Sequence, residues 1–185
     1  MPARPAVFLD RDGTLIEDRG HLASPSEVVF IPGAEEALRK LQEEFLLFIV
    51  TNQSGVARGE ITLEDVDRVN AHLLERLAKS GVRIAAVYSC PHQRSDNCLC
   101  IKPKTHFLER AAADFAVDLE RSFSVGDHPH DVELARNAGG CGVYVRTGHG
   151  MKHLAELAGD AVIVADVGEA AYWILAEHRR RGHSN

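Results

Sequence analysis

Two aspartates two residues apart, Asp10 and Asp12, follow a short apolar run and precede Gly13 and Thr14. Near-extended backbone would turn both carboxylates to one side. Such a pair can divide labour, one as nucleophile and the other as acid and then base. Gly13 leaves space where a substrate or another backbone segment must approach closely. A second pair, Asp127 and Asp131, stands in Gly126-Asp127-x3-Asp131. Asp127 can share a magnesium ion with Asp10, because hard cations take oxygen ligands. Asp131 falls at a predicted helix start, where its plain role is an N-cap. Thr51 and Ser54 bring hydroxyls, and the turn Thr51-Asn52-Gln53-Ser54-Gly55 brings backbone N–H groups suited to phosphate oxygens. Lys102 adds a point positive charge beside Pro103.

Cys90, His92, Cys98 and Cys100 place three thiols and an imidazole within eleven residues. This donor set suits tetrahedral zinc, and a four-donor site leaves no position open for chemistry, so the expected role is structural. The segment carries no helix or strand pattern. Zinc is therefore expected to staple a loop over 90–100 and fix Lys102, two residues beyond the last ligand. Cys141 lies apart, and a small buried residue is the expectation for it.

These residues need elements to hold them together. Short apolar runs over 6–9, 46–50, 84–88, 122–125, 142–145 and 162–164 read as buried strands. Helical patterns over 34–44, 63–80, 105–115, 131–138, 152–158 and 169–181 lie between them. Thr62 with Asp65 predicts an N-cap, and Gly81 a stop. The alternation predicts an α/β fold, a Rossmann-like three-layer doubly wound parallel sheet of order 3-2-1-4-5-6. Ligands in such folds sit beyond the carboxyl ends of the strands. The candidate residues follow four successive strands at that end.

The chain has 185 residues with 45% apolar and 26% charged composition, so one globular domain over 1–185 is expected. A net charge of -6 disfavours nucleic acid and anionic membranes as partners. The apolar runs are too short for a signal-peptide core or a membrane span. Cytoplasmic placement follows as the default, with thiols available to metal rather than disulfides. A monomer is expected, and no exposed apolar stripe compels a dimer. The basic run Arg179-Arg180-Arg181 is expected to complement a helix dipole or lie in water.

Taken in order, Asp10-x-Asp12-Gly13-Thr14, Thr51, Lys102 and Gly126-Asp127-x3-Asp131 resemble the four motifs of the haloacid dehalogenase superfamily. The strings from Phe8 to Leu15, Val50 to Gly59 and Val145 to Gly148 sharpen the likeness, as does Cys90-Pro-His92-x5-Cys98-x-Cys100. They are similar to the branch holding D,D-heptose 1,7-bisphosphate phosphatases and the histidinol-phosphatase domain. The resemblance implies a magnesium-dependent phosphatase with Asp10 as nucleophile and Asp12 as acid/base. It implies magnesium on Asp10, the Asp12 carbonyl and Asp127, with Asp131 supporting, and phosphoryl contacts from Thr51 and Lys102. The favoured substrate is D-glycero-D-manno-heptose 1,7-bisphosphate, losing its 7-phosphate. Histidinol phosphate or another sugar phosphate is the alternative, and a non-catalytic zinc-stapled binding protein the remote one.

Two positions depart from that pattern. The family usually has Arg directly before the motif lysine, where this chain has Ile101, and a basic residue where it has His128. Losing a guanidinium removes a bidentate anion contact. A second phosphate or sugar hydroxyl must then be held by other groups, with Arg19, Arg58, His128 and Arg146 as candidates. The loop Asp18-Arg19-Gly20-His21, the turn residues Asn52, Gln53 and Ser54, and Ile101 itself complete the expected substrate contacts. His128 and His130 are read as substrate or supporting groups rather than extra metal ligands. The spacings leave no room for a separate cap domain.

Overall fold

In a computed structural model, which describes residues 3–182, six parallel strands form one sheet of order β3-β2-β1-β4-β5-β6. The strands are β1 (Arg4–Leu9), β2 (Leu46–Asn52), β3 (Ala86–Cys90), β4 (Val117–Gly126), β5 (Cys141–Val145) and β6 (Val162–Val164). The helices are α1 (Ala34–Leu41), α2 (Leu63–Lys79), α3 (His106–Phe115), α4 (Pro129–Asn137), α5 (Gly150–His153) and α6 (Val167–Gly182). The expected order is the observed one. Residues 1–2 and 183–185 of the expected domain lie outside the described residues.

Alternation along the strands builds two cores. Val7 and Leu9 face one side with Leu47, Ile49, Phe123 and Val125, where α1, α2 and α6 cover them. Ala6 and Phe8 face the other side with Phe48, Val50 and Tyr88, under α3 and α4. Phe8 stacks on Phe48 with ring centroids 5.1 Å apart. Both faces being covered explains why the central strands read as unbroken apolar runs.

Several boundaries differ from the sequence reading. The third strand runs two residues later and ends on Cys90, because it pairs in register with β2 up to Asn52 opposite Cys90. The cysteine segment thus begins on a strand and contains a 3-10 turn, Arg94–Asp96, where no pattern was expected. β2 itself extends to Asn52, which puts Thr51 on the strand. β4 starts earlier, since its polar first half pairs with Arg4 and Pro5. α1 stops at Leu41, and the helix expected over 152–158 is one short helix followed by a 3-10 turn, Leu154–Glu156. α2 matches its prediction, with Thr62 and Asp65 forming a reciprocal capping box. Cys141 opens β5 half-buried rather than buried. Arg179 and Arg181 pair with Glu44 and Glu177. No helix among the described residues is long and apolar enough to cross a membrane.

Candidate active site

The chain reverses its direction of travel across the sheet between β1 and β4, and the crevice beyond their carboxyl ends holds the candidate residues. The Asp10 N–H donates to the Val125 carbonyl at 2.9 Å, continuing the β1–β4 ladder past Leu9. The Asp10 carboxylate is thereby fixed at the seam between these strands. Lys102 reaches in from the segment between β3 and α3. Its ammonium donates to Asp10 Oδ1 at 2.6 Å, Asp131 Oδ1 at 2.7 Å and the Val50 carbonyl at 3.0 Å. The Asn52 side chain accepts from the Lys102 N–H at 3.1 Å, so the end of β2 positions that backbone as well.

Asp131 does more than the expected N-cap. The cap of α4 is His128, and Asp131, three residues on, accepts from the His128 N–H at 3.1 Å. One carboxylate closes the helix start with one oxygen and holds Lys102 with the other. Asp127 accepts from the His149 N–H at 2.7 Å.

Glycines let the carboxylates approach. Gly13 has φ +83°, and a Cβ there would lie 2.2 Å from Asp127 Oδ2. At Gly126 a Cβ would lie 2.1 Å from Asp131 Cγ. Real side chains do not tolerate such contacts, so these glycines fill a steric requirement.

Burial perturbs the charges. Burial raises the Asp10 pKa well above its ordinary value, against the pull of Lys102 and with help from Asp131 and Asp127. Burial and then Asp131 push Asp127 up to about 6. Burial alone would lower Lys102, but Asp10 and Asp131 reverse this and raise it. Asp10, Asp127 and Asp131 offer oxygens within 4.8 Å of one another. Three carboxylates against one ammonium leave a deficit of two positive charges in a buried setting. A divalent oxygen-seeking cation fits that donor set and that deficit.

Asp12 is held differently. Gln53 Nε2 donates to its Oδ2 at 2.9 Å, and Gln53 also donates to Thr51 Oγ1 at 2.8 Å. Arg11 forks onto Asp12 through Nε at 3.0 Å and Nη2 at 2.9 Å, while Nη1 donates to Asn70 Oδ1 at 2.9 Å. Arg11 is fully buried. A planar guanidinium fixed on two sides locks the Asp12 rotamer. Sequence reasoning gave Arg11 no role, and only its place between two aspartates hinted at one.

A cleft of about 240 Å³ opens over these groups, lined by Asp10, Asp12, Thr51, Lys102, Asp127 and Asp131, with Asp18, Asn52, His128, His130 and Arg94 around them. A hollow of about 340 Å³ adjoins it through Asn52 and Arg94 and is lined also by Ser54, Arg58, Gln93 and Ile101. Arg94, from the 3-10 turn of the cysteine segment, was not foreseen. Its Nη2 lies 2.9 Å from His130 Nδ1. Arg19, Gly20, His21 and Gln53, expected at the substrate, line neither space. Arg19 pairs outward with Glu17, and His21 joins Arg58 and Glu60 in a surface network. Arg146 is exposed beyond β5 and lines neither space. Burial first, then the neighbouring imidazoles, His153 for His128 and His128 for His130, lower both to about 4.

Cys90, His92, Cys98 and Cys100 converge with one donor atom each within 4.8 Å. The sulfurs are 3.1, 3.6 and 3.7 Å apart, and His92 Nδ1 lies 3.4 Å from the Cys100 sulfur. All three cysteines are free thiols. Tetrahedral Zn–S bonds of about 2.3 Å set sulfurs about 3.8 Å apart, close to this arrangement. Burial raises the Cys90 thiol, and hydrogen bonds from the backbone N–H groups of Cys100 and Ile101 lower Cys98 against its burial.

Residues 99–170 match the HAD-hydrolase-like family profile. The chain is 38% identical over 177 residues to the D-glycero-beta-D-manno-heptose-1,7-bisphosphate 7-phosphatase of Yersinia pestis, covering 90% of this chain and 94% of that one. It is 40% identical over 162 residues to the D-glycero-D-manno-heptose-1,7-bisphosphate 7-phosphatase of Thermosynechococcus vestitus, covering 81% and 82%. The crystal structure of D,D-heptose 1,7-bisphosphate phosphatase from B. bronchiseptica, complexed with magnesium and phosphate, superposes with a TM-score of 0.85 at 32% identity over 94% of this chain and 99% of that one.

Proposed function

The chain belongs to the D-glycero-D-manno-heptose-1,7-bisphosphate 7-phosphatase family of haloacid-dehalogenase-like hydrolases, and we propose on that basis that it removes the 7-phosphate of D-glycero-D-manno-heptose 1,7-bisphosphate. The observation that carries this reading is the buried set Asp10, Lys102, Asp127 and Asp131 beside a separately held Asp12. Asp10 attacks phosphorus in line, the ester P–O bond breaks, and an aspartyl phosphate forms on Asp10. Asp12 gives its proton to the departing sugar oxygen. It then takes a proton from the water that attacks the phosphorus of the aspartyl phosphate, which frees Asp10 and phosphate. Arg11 and Gln53 keep Asp12 aimed through both steps. Lys102 and the Thr51 hydroxyl donate to phosphoryl oxygens as charge shifts onto them. Asp10, Asp127 and the Asp12 carbonyl, with Asp131 behind, would hold magnesium, and its positive charge would admit a phosphate dianion among the carboxylates.

Cys90, His92, Cys98 and Cys100 would hold zinc, which would make the segment 90–100 a rigid wall of the single hydrolase domain. The wall carries Arg94 and leads into Lys102. Arg94 and Arg58 border the adjoining hollow and give it a positive side where Ile101 offers no charge. This side suits the second phosphate of a bisphosphate, so the substrate's sugar would bridge the two spaces. Asp18 stands where it can meet a sugar hydroxyl. Cytoplasmic placement goes with this reading, since reduced thiols are needed for zinc.

The test is turnover by zinc-loaded protein with magnesium, using heptose 1,7-bisphosphate, histidinol phosphate and simple sugar monophosphates. Charge-assisted contacts contribute about 1.5–3 kcal/mol each. The bisphosphate is therefore expected to lead in kcat/KM by about a hundredfold. Arg94→Ala should shrink that lead by raising KM for the bisphosphate alone. A higher kcat/KM for histidinol phosphate would overturn the substrate assignment.

A further inference from the structure

His128 was expected to meet substrate, with His130 as its companion. The fold gives it other neighbours. Its ring lies 4.5 Å from that of His153, the last residue of α5. His153 Nδ1 is 2.7 Å from Glu156 Oε1, one turn further on. His128 Nδ1 accepts the His130 N–H at 3.3 Å. Among the described residues, no hydrogen-bond partner meets His128 Nε2. His128, His153 and Glu156 each offer one donor atom, and these lie within 4.8 Å of one another.

From this juxtaposition we propose that His128, His153 and Glu156 form a second transition-metal site, distinct from the cysteine cluster and from the aspartate set. Two imidazoles are borderline donors, and beside one carboxylate they favour zinc, cobalt or nickel over magnesium. Tetrahedral bonds of about 2.0–2.1 Å would draw the donors to about 3.3 Å apart. Rotation of the Glu156 side chain, 58% exposed, and of the His153 ring supplies much of that closure. Three protein ligands leave a coordination position for water or an oxygen anion. His128 also lines the catalytic cleft, so an ion here borders the space where phosphate is released. The site joins the start of α4 to the segment after β5, two elements the sequence separates by more than twenty residues.

The test is a cobalt titration of untagged protein with its zinc site loaded and magnesium in millimolar excess to occupy the aspartates. One further equivalent of Co²⁺ is expected at micromolar affinity. Its visible ligand-field bands should appear without the near-ultraviolet thiolate charge-transfer band that marks cysteine ligation. His153→Ala should abolish this equivalent and Glu156→Gln should weaken it about tenfold or more. Magnesium-dependent phosphate release retained by both variants would report that their folds are intact. The proposal is overturned if wild type takes up no further cobalt, or if His153→Ala takes up the same equivalent.

Discussion

Replacing Lys102 with Met removes the ammonium that the buried carboxylates share and keeps much of its apolar stem. At an effective dielectric constant of 20, the contacts of 2.6 and 2.7 Å to Asp10 and Asp131 each carry about 6 kcal/mol of gross attraction. Burying one ammonium offsets several kcal/mol of that, and the stranded carboxylates then lack a counter-charge. The net loss expected for breaking such a buried pair is about 3–5 kcal/mol. The assay is urea unfolding of zinc-loaded protein without magnesium, at pH 7 and at pH 5. Burial already raises Asp10 despite Lys102, and removing the lysine raises it further. A carboxylate whose folded pKa is raised binds more protons folded than unfolded, so it favours folding more as pH falls. The gap between wild type and variant should therefore narrow from pH 7 to pH 5. Magnesium should also stabilise the variant, by mass action on the same oxygens. A gap under about 1 kcal/mol at pH 7, or one equal at both values, would refute the reasoning.

Asp127 gives a second pH signature. Its carboxyl is pushed up to about 6 in the metal-free protein, chiefly by burial. Protons should compete with magnesium there, so apparent magnesium affinity measured by calorimetry should fall by up to about tenfold per unit below pH 6. Affinity unchanged from pH 7 to pH 5 would contradict this. Gly13→Ala forces a Cβ to within 2.2 Å of Asp127 Oδ2 at φ +83°. The left-handed backbone alone costs about 1–2 kcal/mol, and the displaced carboxylate should weaken magnesium binding. A variant with wild-type magnesium affinity and thermal midpoint would remove the steric argument. Cys98→Ser should lose zinc and reduce kcat more than tenfold with magnesium saturating; full activity without zinc would show that the loop orients Lys102 unaided.

What the sequence discloses about this fold is local, and what it hides is made by distant contacts. Asp10, Asp12, Thr51, Asp127 and the cysteine cluster are legible because each lies at or just beyond the end of a strand, and strand ends in a parallel sheet face one way. The sheet order follows from the same alternation. Arg11 was opaque, since its burial depends on Asn70 from α2, fifty-nine residues away. Arg94 was opaque for a related reason. Only the convergence of the cysteine segment on the end of β2 brings it to the cleft. His21 and Arg19 had suitable chemistry, yet Glu60 and Glu17 draw them outward. The end of β3 was misplaced because pairing with β2, not apolar content, carries that strand to Cys90.

The proposed phosphatase reaction rests on a covalent bond between Asp10 and the transferred phosphoryl group. Rapid acid quench of enzyme turning over heptose 1,7-bisphosphate labelled in its 7-phosphate tests this, followed by peptide mapping of the label. The label is expected on the peptide containing Asp10, where borohydride should reduce the acyl phosphate and release the label as phosphate, and it should be absent from a folded Asp10→Asn variant that releases no phosphate. Phosphate release by Asp10→Asn at the wild-type rate, or label on any other residue, would contradict it.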